Sequence, residues 1–119
     1  MPRIGRAVLP VGDLDEAFDW YGKRLGFHVL FDSDIFPGFR SVHIGSGEVH
    51  DTGVWLFPAA SHSLAYPSLV LYSDDLDEDA KRLGNGAAEI VEPVRGEPGA
   101  RSMHVRDPWG NTLILTDTP

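Results

Sequence analysis

A chain of 119 residues is long enough for one domain with its own core, and 42% hydrophobic with 24% charged residues is an ordinary globular composition. A net charge of −8 disfavours nucleic acid as a partner and permits a cationic ligand, and the lack of cysteine rules out disulfides and thiolate metal sites and suits a reducing, cytoplasmic setting. The N-terminal MPRIGRAVLPVGDL has no long apolar run and no small-residue cleavage site, so neither a signal peptide nor a membrane partner is expected.

In chain order, Ile4 to Val11 is a strand, with Pro10 placing it at an edge or near a strand end. Asp13 caps a helix, Glu16 completes a capping box, and Leu14, Ala17, Phe18, Tyr21 and Leu25 share one face. Lys23 and Arg24 suit the last turn, and Gly26 stops it. Phe27 to Phe31 is a strand, Asp32 to Gly38 a loop, Arg40 to Ile44 a strand and Val54 to Phe57 a fourth strand. Pro58 to Pro67 reads as a linker. Beyond it, Leu69 to Tyr72 is a strand, and Asp75 opens a helix carrying Leu76, Ala80 and Leu83 that ends at Gly84-Asn85-Gly86. Glu89 to Pro93 is a strand and Arg95 to Gly99 a loop. Two last strands flank the turn Asp107-Pro108-Trp109-Gly110, with Pro at its second and Gly at its fourth position.

The second half repeats the first. VLPVGDLDE from Val8 parallels VLYSDDLDE from Val70, and RSVHI from Arg40 parallels RSMHV from Arg101. The first pair is offset by 62 residues, from Asp13 to Asp75, and the second by 61, from Arg40 to Arg101. Two matches in the same order at nearly the same offset imply two copies of a strand–helix–strand–strand–strand unit. The fold class is therefore α+β: two tandem βαβββ modules, at about 4–58 and 68–117, each with a helix on one sheet face and the other face turned to a cleft between them.

With DLDEAFDWYGKRLGF after a first strand, a second DL-type helix start and DPWGN before the last strand, the whole chain resembles the vicinal oxygen chelate superfamily. This grouping holds glyoxalase I, fosfomycin-resistance proteins, extradiol dioxygenases and bleomycin-resistance proteins. The resemblance implies a divalent metal held in the cleft by His, Gln or Glu from the first and last strands of each module. Counted from the repeat, those positions are Arg6, Leu56, Ser68 and Ile114. Arginine and aliphatic side chains coordinate no metal and a lone serine is a poor ligand, so no metal and no other cofactor is expected.

Strand alternation places Arg6, Val8, Leu56, Ser68, Val70, Tyr72, Thr112 and Ile114 on the cleft side. Leu9, Val11, Trp55, Phe57, Leu69, Leu71, Leu113 and Leu115 are expected beneath the helices. Ser41 with His43, and Ser102 with His104, alternate with apolar neighbours and so face the cleft as well. Phe36 and Phe39, flanking Pro37, and Trp109 are aromatic candidates for a lid on a planar ligand or for a contact between two copies. Glu48, His50, Asp51 and His62 read as solvated loop residues.

Apolar walls with a few polar groups describe a small-molecule site. The leading expectation is a metal-independent binding protein similar to the bleomycin-resistance type, sequestering an aromatic or amphipathic drug-like ligand, and the resemblance implies a homodimer. The alternative is an enzyme with a relocated metal site, or a metal-free catalyst with His43 or His104 as general base and Arg6 stabilising an oxyanion.

Overall fold

The structure, a computed structural model, describes residues 1–36, 39–59, 67–85 and 88–118, with the side chains of residues 35–39 outside that description. The chain forms two compact units, Met1–Ser61 and His62–Pro119.

Unit 1 begins with β1 (Arg6–Val11) and α1 (Leu14–Leu25). The helix starts where Asp13 Oδ1 accepts the Glu16 N–H at 2.9 Å. It stops where Gly26 turns left-handed at φ 74°, a conformation that costs glycine little. Ala17 and Tyr21 are buried as the spacing predicts, and Trp20 joins them. β2 (His28–Phe36), β3 (Phe39–Gly45) and β4 (Gly53–Pro58) complete a sheet in the order β1-β4-β3-β2. β1 runs parallel to β4, and the other pairs are antiparallel.

The expected loop from Asp32 is instead the second half of β2, paired with β3 through Asp32↔Val42, Ser33↔Ser41 and Phe36↔Phe39. Asp32 reads as a loop residue, yet on this outer strand its carboxylate takes two hydrogen bonds from Arg40, at 2.9 and 2.8 Å. A polar edge strand is what an unshielded sheet border favours. Phe36 and Phe39 thus belong to the ends of two paired strands, not to a free loop. Their side chains, and Pro37 and His62 altogether, lie outside the described residues.

Unit 2 repeats the plan: β5 (Leu69–Ser73), α2 (Leu76–Leu83), β6 (Glu89–Arg95), β7 (Ser102–Arg106) and β8 (Thr112–Asp117), in the order β5-β8-β7-β6. Asp75 caps α2 as Asp13 caps α1, accepting the Glu78 N–H at 3.1 Å. The β7–β8 turn closes with a 3.3 Å bond from Gly110 N–H to the Asp107 carbonyl, Gly110 taking φ 92°. Inside it, the buried Asp107 carboxylate accepts the backbone N–H groups of Trp109 and Asn111 and the Asn111 side-chain amide, at 2.8–2.9 Å.

Each helix covers one sheet face. Leu9, Val11, Val42, Ile44 and Leu56 are buried on that face in unit 1, and Met103, Val105, Leu113 and Leu115 in unit 2. Here β4 departs from expectation. Val8 pairs with Trp55 and His43 pairs with Trp55, which puts Trp55 and Phe57 on the open face and Leu56, at 0% exposure, under the helix. In unit 2, Val70 pairs with Ile114. The true counterpart of Ile114 is therefore Trp55. The Val-Trp-Leu-Phe run of a central strand is apolar throughout and carries no alternation from which a phase can be read.

Candidate functional site

The open face of unit 1 gathers Arg6 and Val8 from β1, Phe31 from β2, Ser41 and His43 from β3, and Trp55 and Phe57 from β4. Four rings form a row across the strands. Phe31 meets His43 edge-on at 5.3 Å, His43 lies 5.3 Å from Trp55, and Trp55 meets Phe57 edge-on at 5.4 Å. These are the separations at which ring quadrupoles attract. Phe31, Phe57 and Val8 remain exposed. A register shift in β2 between Val29 and Phe31 brings Leu30 to the same side. Its Cδ1 stands 2.9 and 2.6 Å from where a Cβ on Gly45 or Gly53 would be, so these two glycines make room for it.

Arg6 is not a free cation on this face. Its Nε donates to His43 Nδ1 at 2.9 Å, and its terminal nitrogens donate to the carbonyls of Gly5, Val49 and Asp51. The side chain thereby ties β1 to the β3–β4 connection and orients His43. The other ring nitrogen of His43, Nε2, lies 2.9 Å from Ser41 Oγ. Burial, followed by the neighbouring Arg6 charge, lowers the His43 pKa from its ordinary value. With Nδ1 engaged by a guanidinium, His43 offers no lone pair for general-base work.

In unit 2, Ser68, Val70, Tyr72, Ser102, His104, Thr112 and Ile114 share the open face, as expected. Val70 and Tyr72 are 59% and 66% exposed. Where unit 1 has Arg6, unit 2 has Ser68, whose buried Oγ has no hydrogen-bond partner among the described residues. His104 accordingly has a different neighbour: its Nε2 lies 3.7 Å from the Glu92 carboxylate. Trp109, a candidate for a lid or for a contact between two copies, is buried within its own unit at 8% exposure, with its backbone N–H held by Asp107 in the turn.

With the phase of β4 corrected, the counted metal positions carry Arg6, Trp55, Ser68 and Ile114. A committed cation, an indole, a lone hydroxyl and an aliphatic chain do not form a donor set for a divalent ion. Among the described residues, no three His, Cys, Asp or Glu side chains come together as a metal site. The described helices include none long and apolar enough to cross a membrane.

Sequence reading missed Phe31, Trp55 and Phe57 as open-face residues. The pairing of β4 with β1 and β3 carries that signal, and no local pattern does.

Residues 3–115 match the family model of the Glyoxalase/Bleomycin resistance protein/Dioxygenase superfamily. No curated protein matches the chain. Among solved structures, a superfamily member from Sphaerobacter thermophilus DSM 20745 is 25% identical, with a TM-score of 0.81 over 99% of this chain and 98% of its own. TnmS3, described as an antibiotic binding protein from Streptomyces sp. CB03234, is 23% identical with a TM-score of 0.78, covering 100% of this chain and 98% of that one. Glyoxalase I of Leishmania major is also 23% identical with a TM-score of 0.78, over 98% and 87% of the two chains. At such identity the last two establish likeness of fold alone.

Proposed function

Because the chain belongs to the Glyoxalase/Bleomycin resistance protein/Dioxygenase superfamily, we propose that it is a metal-independent binding protein that sequesters an aromatic or amphipathic small molecule. The observation that carries this reading is the ring row Phe31–His43–Trp55–Phe57 on an open sheet face. A row of aromatic rings gives a planar ligand dispersion and stacking contacts without covalent chemistry. The side chains at the counted metal positions support the metal-independent part. TnmS3, of the same fold, is described as an antibiotic binding protein, and this reading extends that kind of role to the present chain.

A native mass spectrum of protein purified without added metal tests the reading. The expected result is a metal-free chain, assembled as a homodimer, that takes up planar aromatic probes whether or not a chelator is present. A stoichiometric transition metal held by three protein side chains overturns it.

A second reading, metal-free catalysis, rests on the His104–Glu92 pair, an imidazole beside a carboxylate on the open face of unit 2. It requires turnover of a carbonyl or epoxide substrate that His104→Ala abolishes while the protein stays folded.

A further inference from the structure

We propose that Arg6, His43 and Ser41 form a polarised hydrogen-bond relay that leaves the Ser41 hydroxyl hydrogen available to donate, so that the ligand of this face is a planar, uncharged molecule with an acceptor oxygen at its ring edge. The inference rests on the aromatic-ligand reading above and names the class of ligand within it.

The direction of the relay follows from which groups can donate. An arginine guanidinium carries only N–H groups and stays charged at any physiological pH, so the 2.9 Å contact from Arg6 Nε makes His43 Nδ1 the acceptor. A neutral imidazole whose Nδ1 accepts carries its hydrogen on Nε2. At 2.9 Å from that nitrogen, Ser41 Oγ therefore accepts. Its own hydrogen is left to point elsewhere, and among the described residues Oγ has no second protein partner. Ser41 is half-buried on the open face, two residues from the ring that anchors it.

The charge lies one step behind. Arg6 commits four of its five N–H groups to His43 and three backbone carbonyls, which hold the guanidinium behind the ring, so the polar group beside the ring row is a neutral hydroxyl. A carbonyl or ether oxygen satisfies such a donor, whereas a carboxylate finds no bidentate cation to repay its desolvation. Phe31, Trp55 and Phe57 beside His43 define where the flat part of the molecule lies. Unit 2 keeps the serine and histidine as Ser102 and His104 but has Ser68 in place of Arg6, so no guanidinium stands behind its histidine to polarise the pair.

Two measurements test the proposal. Imidazole nitrogen NMR of the full chain at neutral pH is expected to show His43 as the Nε2–H tautomer; an Nδ1–H tautomer overturns the relay. Equilibrium dialysis compares fluorenone with fluorene, two flat tricycles that differ by one carbonyl. Fluorene is the more hydrophobic, so burial alone favours it. The expectation is that fluorenone binds about fivefold more tightly, the scale of one net hydrogen bond. Ser41→Ala is expected to remove this advantage with fluorene binding unchanged, and Ser41→Thr to retain it. Equal binding of the two probes, or an advantage that survives Ser41→Ala, overturns the inference and leaves the aromatic-ligand reading standing. Failure of both probes to bind overturns both.

Discussion

Arg40 and Asp15 are twenty-five residues apart in sequence and joined by a 2.8 Å ion pair that ties the sheet to the first turn of α1. The same arginine holds Asp32 on the neighbouring strand. The arrangement recurs in unit 2, where Arg101 reaches Asp77 in the first turn of α2 and also Asp117 on β8. In both units an acidic residue sits at the positive end of the helix dipole and an arginine, on β3 in unit 1 and just before β7 in unit 2, neutralises it.

Arg40→Ala is expected to lower unfolding stability by about 1 kcal/mol, because the pairs are largely exposed and solvent screens them. Urea melts at low and high salt check this, and the loss shrinks at high salt. The Arg40 hydrogen bonds also hold the Asp32 pKa below its ordinary value of 3.8. An acid whose folded-state pKa is depressed stabilises the fold above its unfolded value, so this contribution disappears as pH falls through the folded-state value.

Leu56→Ala and Trp55→Ala, adjacent in sequence, are expected to act in opposite ways. Leu56 is fully buried under the helix, so truncating it leaves a cavity and costs about 3 kcal/mol while fluorene binding persists in the folded fraction. Trp55 belongs to the ring row, so its truncation costs less stability and removes fluorene binding. Urea melts paired with dialysis separate the two, and the reverse pattern would put β4 in the other phase.

Asp107→Ala is expected to cost about 3 kcal/mol, since it strips three hydrogen bonds from a buried turn and leaves donors on Trp109 and Asn111 without their acceptor. Asp107→Asn recovers only part, because a neutral amide oxygen accepts less strongly than a carboxylate. Thermal melts of the two variants order them.

The His43 pKa lies below its ordinary 6.5 through burial and then the Arg6 charge. In the window between the folded-state value and 6.5, the unfolded chain binds the proton and the folded chain does not. Stability therefore falls as pH drops below 6.5 and the full cost is reached once pH is below the folded-state value. Protonation also removes the Nδ1 acceptor and ejects Arg6 from its bond. A proton NMR titration of the His43 ring is expected to give a midpoint below 6.5; a midpoint at or above it contradicts the geometry.

The duplication was legible because two blocks recur intact, VLPVGDLDE and RSVHI, and because Asp13 and Asp75 cap their helices by local rules that sequence displays. The far half of β2 was not, since Asp-Ser-Asp looks like a loop until Arg40 is placed beside it. Nor was the phase of β4. Val54 to Phe57 is apolar throughout, and the connection from Gly45 to Gly53 differs in length from that between Arg106 and Thr112, so neither alternation nor counting from the repeat says which residues face the helix. Arg6 was recognised as a cation on the right face, but its restraint was invisible, because three of its acceptors are backbone carbonyls, which every residue has.

Trp55 lies beside His43, at 5.3 Å between ring centroids, whereas Trp20 and Trp109 are buried elsewhere. An imidazolium quenches indole emission on contact more strongly than a neutral imidazole does. The protein thus carries its own optical gauge of the His43 proton. A fluorimeter and a pH ramp are expected to read the state of the relay without label, cofactor or ligand.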